Sequence, residues 1–165
     1  KTKNLQTLFS SRNLQQLIMV MGNQKSLDGI EKSEKLQILY LYYARSLQDI
    51  SALEKVKKTL KVLCLDHCPK IEDYSVLEKM ENLQTLMIYG NHKISDIQFI
   101  SKIKSLKRFR FSVNILDGDL SPCLKLEEAT SMTNRKHYNL KDEELPKNYD
   151  CPFGNEGIEE WMLYW

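Results

Sequence analysis

The stretch Leu60-Lys61-Val62-Leu63-Cys64-Leu65-Asp66-His67-Cys68 constrains the fold more than any other part of the chain. Leu63 and Leu65 alternate as in a short strand, so both enter one core, while Val62, Cys64 and Asp66 face the other way. Leu60 turns in just before the strand, and Cys68 sits where the chain leaves it. One such unit cannot bury its own apolar face, and the chain supplies copies: Leu14, Leu17 and Met19; Leu36, Leu39 and Leu41; Leu83, Leu86 and Ile88; Leu106, Phe109 and Phe111. The first positions fall at 14, 36, 60, 83 and 106, in steps of 22, 24, 23 and 23 residues. A fixed period of this length predicts a stack of identical units around one continuous core.

The return leg of each unit is periodic as well. Ala44-x-x-Leu47-x-Asp49-Ile50-x-x-Leu53 aligns with Cys68-x-x-Ile71-x-Asp73-Tyr74-x-x-Leu77 and with Asn91-x-x-Ile94-x-Asp96-Ile97-x-x-Ile100. Three-residue spacing of apolar positions predicts one or two helical turns opposite the strands. Asp49, Asp73 and Asp96 stand where a carboxylate caps free backbone N–H groups. The first leg, Lys25-Ser26-Leu27-Asp28-Gly29-Ile30, is one residue shorter and is expected to be less regular. After each strand a ladder position holds Gly22, Ala44, Cys68, Asn91 and Asn114. Asparagine there satisfies buried backbone groups of adjacent turns. The last two units have it, and the earlier ones need another solution.

At the front, Leu5 and Leu8 read as the return leg of a preceding unit. Beyond Phe111, Asn114-x-x-Asp117-Gly118-Asp119-Leu120-x-x-Cys123 is expected to keep the repeat register, Pro122 to interrupt regular helix, and Leu126, Ala129 and Ser131 to form a last, degenerate strand. Residues 133–165 leave the repeat. Asn134 to Tyr138 is basic and polar, and the segment through Pro146 and Pro152 reads as ordered loop or turn. Gly157 to Trp165 is expected to form a short helix whose Trp161 and Trp165 share a face and plug the open end of the stack.

The 165 residues suit one domain: 1–132 as the repeat stack, with about five full units and degenerate ends, and 133–165 as its C-terminal cap. Lys and Arg number 24 against 22 Asp and Glu, a net charge of +2, which argues against a dedicated nucleic-acid binder. No apolar run approaches the roughly 20 residues that span a bilayer, so no membrane insertion is expected. Four cysteines without small-scaffold spacing, and no N-x-[ST] sequon, point to free thiols in the cytoplasm. The chain begins at Lys1 and not at Met, so a removed signal peptide, and with it a secreted protein, stays open.

Chemistry-bearing clusters are few. Cys64, His67 and Cys68 form C-x-x-H-C, but the repeat already accounts for Cys68, and no second Cys/His pair nearby completes a tetrahedral metal site. Asp117-Gly118-Asp119 lacks the further oxygen ligands of a calcium loop and reads as a tight turn. No phosphate loop, nucleophile elbow or zinc-protease motif occurs. No enzyme, cofactor or metal is therefore expected. The outward strand residues are more informative: Gln16, Ile18, Val20; Ile38, Tyr40, Tyr42; Val62, Cys64, Asp66; Thr85, Met87, Tyr89; Arg108, Arg110, Ser112; and Glu128, Thr130. Tyrosine, methionine and arginine are enriched at protein interfaces. Ile18, Tyr40, Tyr42, Met87, Tyr89, Arg108 and Arg110 are the candidate partner-binding residues, with exposed aromatics at the centre and arginines that steer an acidic partner.

The L-x-x-L-x-L-x-x-C pattern and its copies over residues 5–132 resemble the leucine-rich-repeat proteins, with a return leg similar to the short internalin-like class. Asn114, the Asp117-Gly118-Asp119-Leu120 turn and Asn134-Arg135-Lys136-His137-Tyr138-Asn139 look like the C-terminal part of bacterial internalin-like proteins that lack a surface anchor. The resemblance implies an α/β fold: a right-handed solenoid, or horseshoe, with short parallel strands on the concave face and short helices or 3-10 turns on the convex face. It also implies a monomeric, non-enzymatic module that binds another protein through the concave face, as some of those proteins are suspected immunity proteins of contact-delivered toxins. Two other readings stand beside it: a secreted adhesion or host-binding domain, and an enzyme using Cys64 with His67.

Overall fold

The computed structural model describes residues 13–148. Leu5, Leu8, Trp161 and Trp165, for which roles were expected above, lie outside the described residues. The repeated strands are β1 (Gln16–Val20), β2 (Ile38–Tyr42), β3 (Val62–Asp66), β4 (Thr85–Tyr89), β6 (Arg108–Phe111) and β8 (Glu128–Ser131). They form one parallel sheet in chain order, each strand beside the next. A second, two-stranded sheet pairs β5 (Lys93–Ile94) with β7 (Asn114–Ile115).

Register follows the repeat. Leu17, Leu39, Leu63, Leu86, Phe109 and Ala129 form one row across the sheet, and Met19, Leu41, Leu65, Ile88, Phe111 and Ser131 the other. Both rows face the main core. The carbonyl just before each strand accepts two N–H groups from the following unit: Gln37 from Lys61 and Val62, Lys61 from Gln84 and Thr85, Gln84 from Lys107 and Arg108. Every unit is thereby hydrogen-bonded at the entrance to its strand as well as along it.

The return legs are 3-10 turns: Ser51–Val56, Ser75–Lys79, Gln98–Lys102 and Ser121–Lys125. Their three-residue period matches the apolar spacing and brings Ile50 and Leu53, Tyr74 and Leu77, Ile97 and Ile100, and Leu120 and Cys123 into the core. The first turn, Ile30–Lys32, is three residues long, in keeping with its shorter leg. The aspartates cap as expected: Ser51 N donates to Asp49 Oδ1 (2.8 Å), Ser75 N to Asp73 Oδ1 (2.8 Å) and Gln98 N to Asp96 Oδ1 (2.9 Å). Asp119 repeats the device on Ser121 N (2.9 Å).

The asparagine ladder is not formed. Asn91 is exposed, and Asn114 lies on β7 with its Oδ1 buried and unpartnered. The reason is a slip in register. Lys93 pairs with Asn114, a step of 21, whereas the flanking strands and turns keep the step of 23. The last unit is two residues short here and regains them around Gly118, whose left-handed backbone (φ 69°) makes the tight turn, so this stretch does not keep register throughout. Val113, not Asn114, enters the core. In the earlier units Ala44 and Cys68 are buried at the ladder position, and Cys68 Sγ donates to Leu41 O (3.7 Å). Above Gly22 the space is filled by Gln24, whose Oε1 would stand 2.1 Å from an added Cβ and whose Nε2 donates to Met19 Sδ (2.9 Å).

Residues 134–147, expected as loop, close the end of the stack. Tyr138 Oη accepts from Ile115 N and donates to Val113 O, both at 3.1 Å. Asn139 Oδ1 accepts from Leu120 N (2.8 Å), and its Nδ2 donates to Asp119 Oδ1 and Ser121 Oγ. Along the outer edge of β8, Ala129 N donates to Pro146 O, Ser131 N to Asp142 Oδ1, and Lys147 Nζ to Ala129 O. An edge strand that would otherwise offer free backbone groups is thereby covered.

Leu63 is fully buried and Lys61 exposed. Leu63→Ala is expected to cost roughly 2–5 kcal/mol in a urea melt, and Lys61→Ala to be near neutral. The caps set an acid limit. Hydrogen bonds from Ser51, Ser75 and Ser121 hold the Asp49, Asp73 and Asp119 carboxyls below the usual carboxylate range. A carboxyl whose pKa is lower folded than unfolded stabilises the fold above its unfolded value, and that contribution is lost as pH falls through the folded one. The urea midpoint should therefore drop as pH falls below about 4. The combined variant Asp49→Asn, Asp73→Asn and Asp119→Asn keeps the acceptor oxygens and should flatten that drop.

Candidate protein-binding face

The outward strand residues line the second face in three rows. Gln16, Ile38, Val62, Thr85, Arg108 and Glu128 form the first. Ile18, Tyr40, Cys64, Met87, Arg110 and Thr130 form the second; Val20, Tyr42, Asp66 and Tyr89 form the third. This is the expected register. The expected exposure differs. Tyr40 (5% exposed), Val62, Cys64 and Met87 (3%) pack into an apolar cluster of their own, flanked by the half-buried Ile38, Tyr42 and Tyr89. Each central side chain has neighbours in its row on both strands beside it, and these close over it. Tyr40 and Met87 thus shape the face from beneath. Tyr42, stacked on Tyr40 at 6.0 Å, and Tyr89 carry the central aromatic surface. Ile18, at the start of the row, is exposed.

The arginines are also differently placed. Glu128 is buried and sits between them: Arg110 donates to its Oε1 from Nη2 (2.7 Å) and Nε (2.8 Å), and Arg108 Nε lies 3.6 Å from its Oε2. Arg108 is 8% exposed, and Arg110 is half-buried. One carboxylate thus neutralises one of two guanidinium charges, and the expected free basic flank is reduced to the outer edge of Arg110. Arg108 is buried beside this carboxylate at ion-pair distance, its Nε making no hydrogen bond.

The residues of C-x-x-H-C do not converge. Cys64 belongs to the outer cluster and Cys68 to the main core, on opposite faces of the sheet. His67 Nδ1 bonds Asp66 Oδ1. Burial, with Asp66 and Cys68 nearby, pushes the Cys64 thiol far up, and burial lifts Cys68 to about 11. A nucleophilic thiolate needs the reverse. Among the described residues no three His, Cys, Asp or Glu side chains group as metal ligands, and Asp117-Gly118-Asp119 closes on itself, Asp119 N donating to Asp117 Oδ1 (3.1 Å). Among the described residues no helix is long and apolar enough to cross a membrane.

The sequence reading missed the residues that leave each strand. Met21, Tyr43 and His67 adopt left-handed backbone (φ 57°, 55° and 52°) at the position where the fourth unit has Gly90 (φ 130°). The geometry is imposed: there Met21 N donates to Tyr42 O, Tyr43 N to Asp66 O and His67 N to Tyr89 O while the chain turns off the sheet. For a side chain other than glycine this costs about 1–3 kcal/mol. Tyr43 and His67 stack at 4.6 Å, and the Arg45 guanidinium lies 5.8 Å over the Tyr43 ring. Gly90, aligned with three non-glycine residues, was the available signal.

With Cys151→Ser as background, Cys64, Cys68 and Cys123, all buried free thiols, should react with a thiol reagent only after denaturant is added. Rapid labelling of Cys64 in the native protein would revive the Cys–His enzyme.

A search of curated proteins finds no match to the chain. The family model described as Leucine Rich repeats (2 copies) matches residues 58–102, the stretch that holds β3, β4 and their 3-10 turns. The same strand, turn and register extend on both sides of it, and the chain folds as a leucine-rich-repeat solenoid.

Proposed function

We propose that the chain is a non-enzymatic module that binds another protein through the outward face of its sheet. Repeats of this type generally mediate protein–protein interaction. The observation that carries the reading is the surface above the outer cluster. Tyr42 and Tyr89 lie half-buried at its centre, Ile18 and Val20 are exposed along one side, and Arg110 closes the other. Half-buried tyrosines on a rigid sheet give contact area at little entropic cost, as interface anchors do. The expectation of a cytoplasmic protein draws support from the buried free thiols Cys64, Cys68 and Cys123, which suit a reducing compartment. An immunity or regulatory role, as the internalin-like resemblance of residues 114–145 suggests, is the narrower form of the proposal.

The test is capture of a partner from the source cell, followed by titration of variants. Tyr42→Ala is expected to weaken binding by roughly 1–3 kcal/mol. Glu54→Ala and Glu78→Ala, which break the inter-unit ion pairs with Lys79 and Lys102 on the opposite side, should bind like the parent. If those two abolish binding while Tyr42→Ala does not, the sheet face is not the interface.

A further inference from the structure

The left-handed residues at the strand exits form a surface of their own. Met21 is 73% exposed, Val20 55%, Ile18 40% and Tyr43 37%, and all four belong to the first two units. They are contiguous in the fold: Ile18 and Val20 are outward on β1, Met21 follows it directly, and Tyr43 follows β2, with which β1 pairs. Met21 and Tyr43 keep a strained backbone at a position that accommodates glycine, as Gly90 shows. Strained residues of this kind persist where the surrounding structure imposes them, and they cluster at binding sites and ligand clamps.

The charge around the patch is one-sided. Arg45 is exposed and lies over Tyr43. Among the described residues no carboxylate is within ion-pair distance of it. Asp66, the acidic residue of the third row, is engaged with His67, which itself stacks on Tyr43. The patch therefore offers apolar area and an exposed guanidinium that lies over the Tyr43 ring. Arginine so placed receives a carboxylate through paired N–H donors.

We infer that the strand-exit rim built from Ile18, Val20, Met21, Tyr43 and Arg45 anchors a peptide segment of the partner that presents a carboxylate beside a large apolar side chain. The inference rests on the protein-binding reading above and gives it a chemistry: the apolar side chain covers Val20 and Met21 against Tyr43, and the carboxylate pairs with Arg45.

The probe is a random-peptide phage library panned on the whole 165-residue protein, with the enriched sequences made as labelled peptides and titrated by fluorescence anisotropy. Enriched peptides should pair Asp or Glu with Leu, Phe or Trp. Arg45→Glu should weaken them by about tenfold or more, and added salt should weaken binding to the parent but not to Arg45→Glu. Tyr43→Gly should lose about tenfold or more in affinity without a lower melting temperature, because glycine relaxes the left-handed backbone; this separates loss of a contact from loss of fold. No enrichment, or enriched peptides without an acidic residue, overturns the inference. Peptides insensitive to Arg45→Glu and Tyr43→Gly but weakened by Tyr42→Ala overturn it as well, while leaving the sheet-face reading in place.

Discussion

The parallel pairing of each strand with the strand one repeat later is the interaction on which the rest depends. It aligns residues 20 to 24 apart, side by side, and so turns a one-dimensional period into rows of like side chains. Two inward rows of Leu, Ile, Met and Phe supply the core. A slip of one residue would send Leu63 and Leu65 outward and Cys64 inward, so burial itself opposes it. The carbonyls of Gln37, Lys61 and Gln84, each binding two N–H groups of the next unit, hold the stack against that slip at the entrance of every strand.

The same rows explain what the sequence conveyed and what it did not. The strand positions, the direction of each side chain and the capping aspartates were legible, because each depends on spacing within one unit. The exposure of the outward residues was not, because it depends on three units at once. Within one row, Tyr40 is buried between Ile18 and Cys64, and Met87 between Cys64 and Arg110. Arg108 and Arg110 read as a basic flank until Glu128, eighteen residues after Arg110, is brought beside both. Asn91 and Asn114 matched the ladder by count, but the strand pairing of β5 and β7 overrode the count by two residues. Left-handed residues leave no trace in hydrophobic periodicity, so Met21, Tyr43 and His67 went unnoticed.

The two faces of the sheet also divide labour. The inward face carries large apolar side chains from β1 to β6 and gives way to Ala129 and Ser131 on β8. The outward face changes with every strand: apolar on β1, aromatic on β2, mixed on β3 and β4, ionic on β6 and β8. Stability draws on the inward face and recognition on the varied one, so a substitution at Tyr42 or Tyr89 alters the surface while the rows of leucine beneath stay intact. The buried cluster of Tyr40, Val62, Cys64 and Met87 lies between these regimes, fixing the height at which the half-buried tyrosines stand.

The closed edge of β8 gives the stack a direction. Pro146, Asp142 and Lys147 occupy the backbone groups to which another strand would bond, and Tyr138 and Asn139 occupy those of the preceding turns. A unit gained by gene duplication therefore cannot be appended after Ser131. A unit that enters between existing strands inherits a neighbour on each side. Lengthening by that route leaves the ionic end untouched and shifts only the apolar and aromatic strands relative to it. The distance between the rim at β1 and the arginines at β6 is the quantity such insertions would vary, one strand spacing of roughly 4.8 Å at a time.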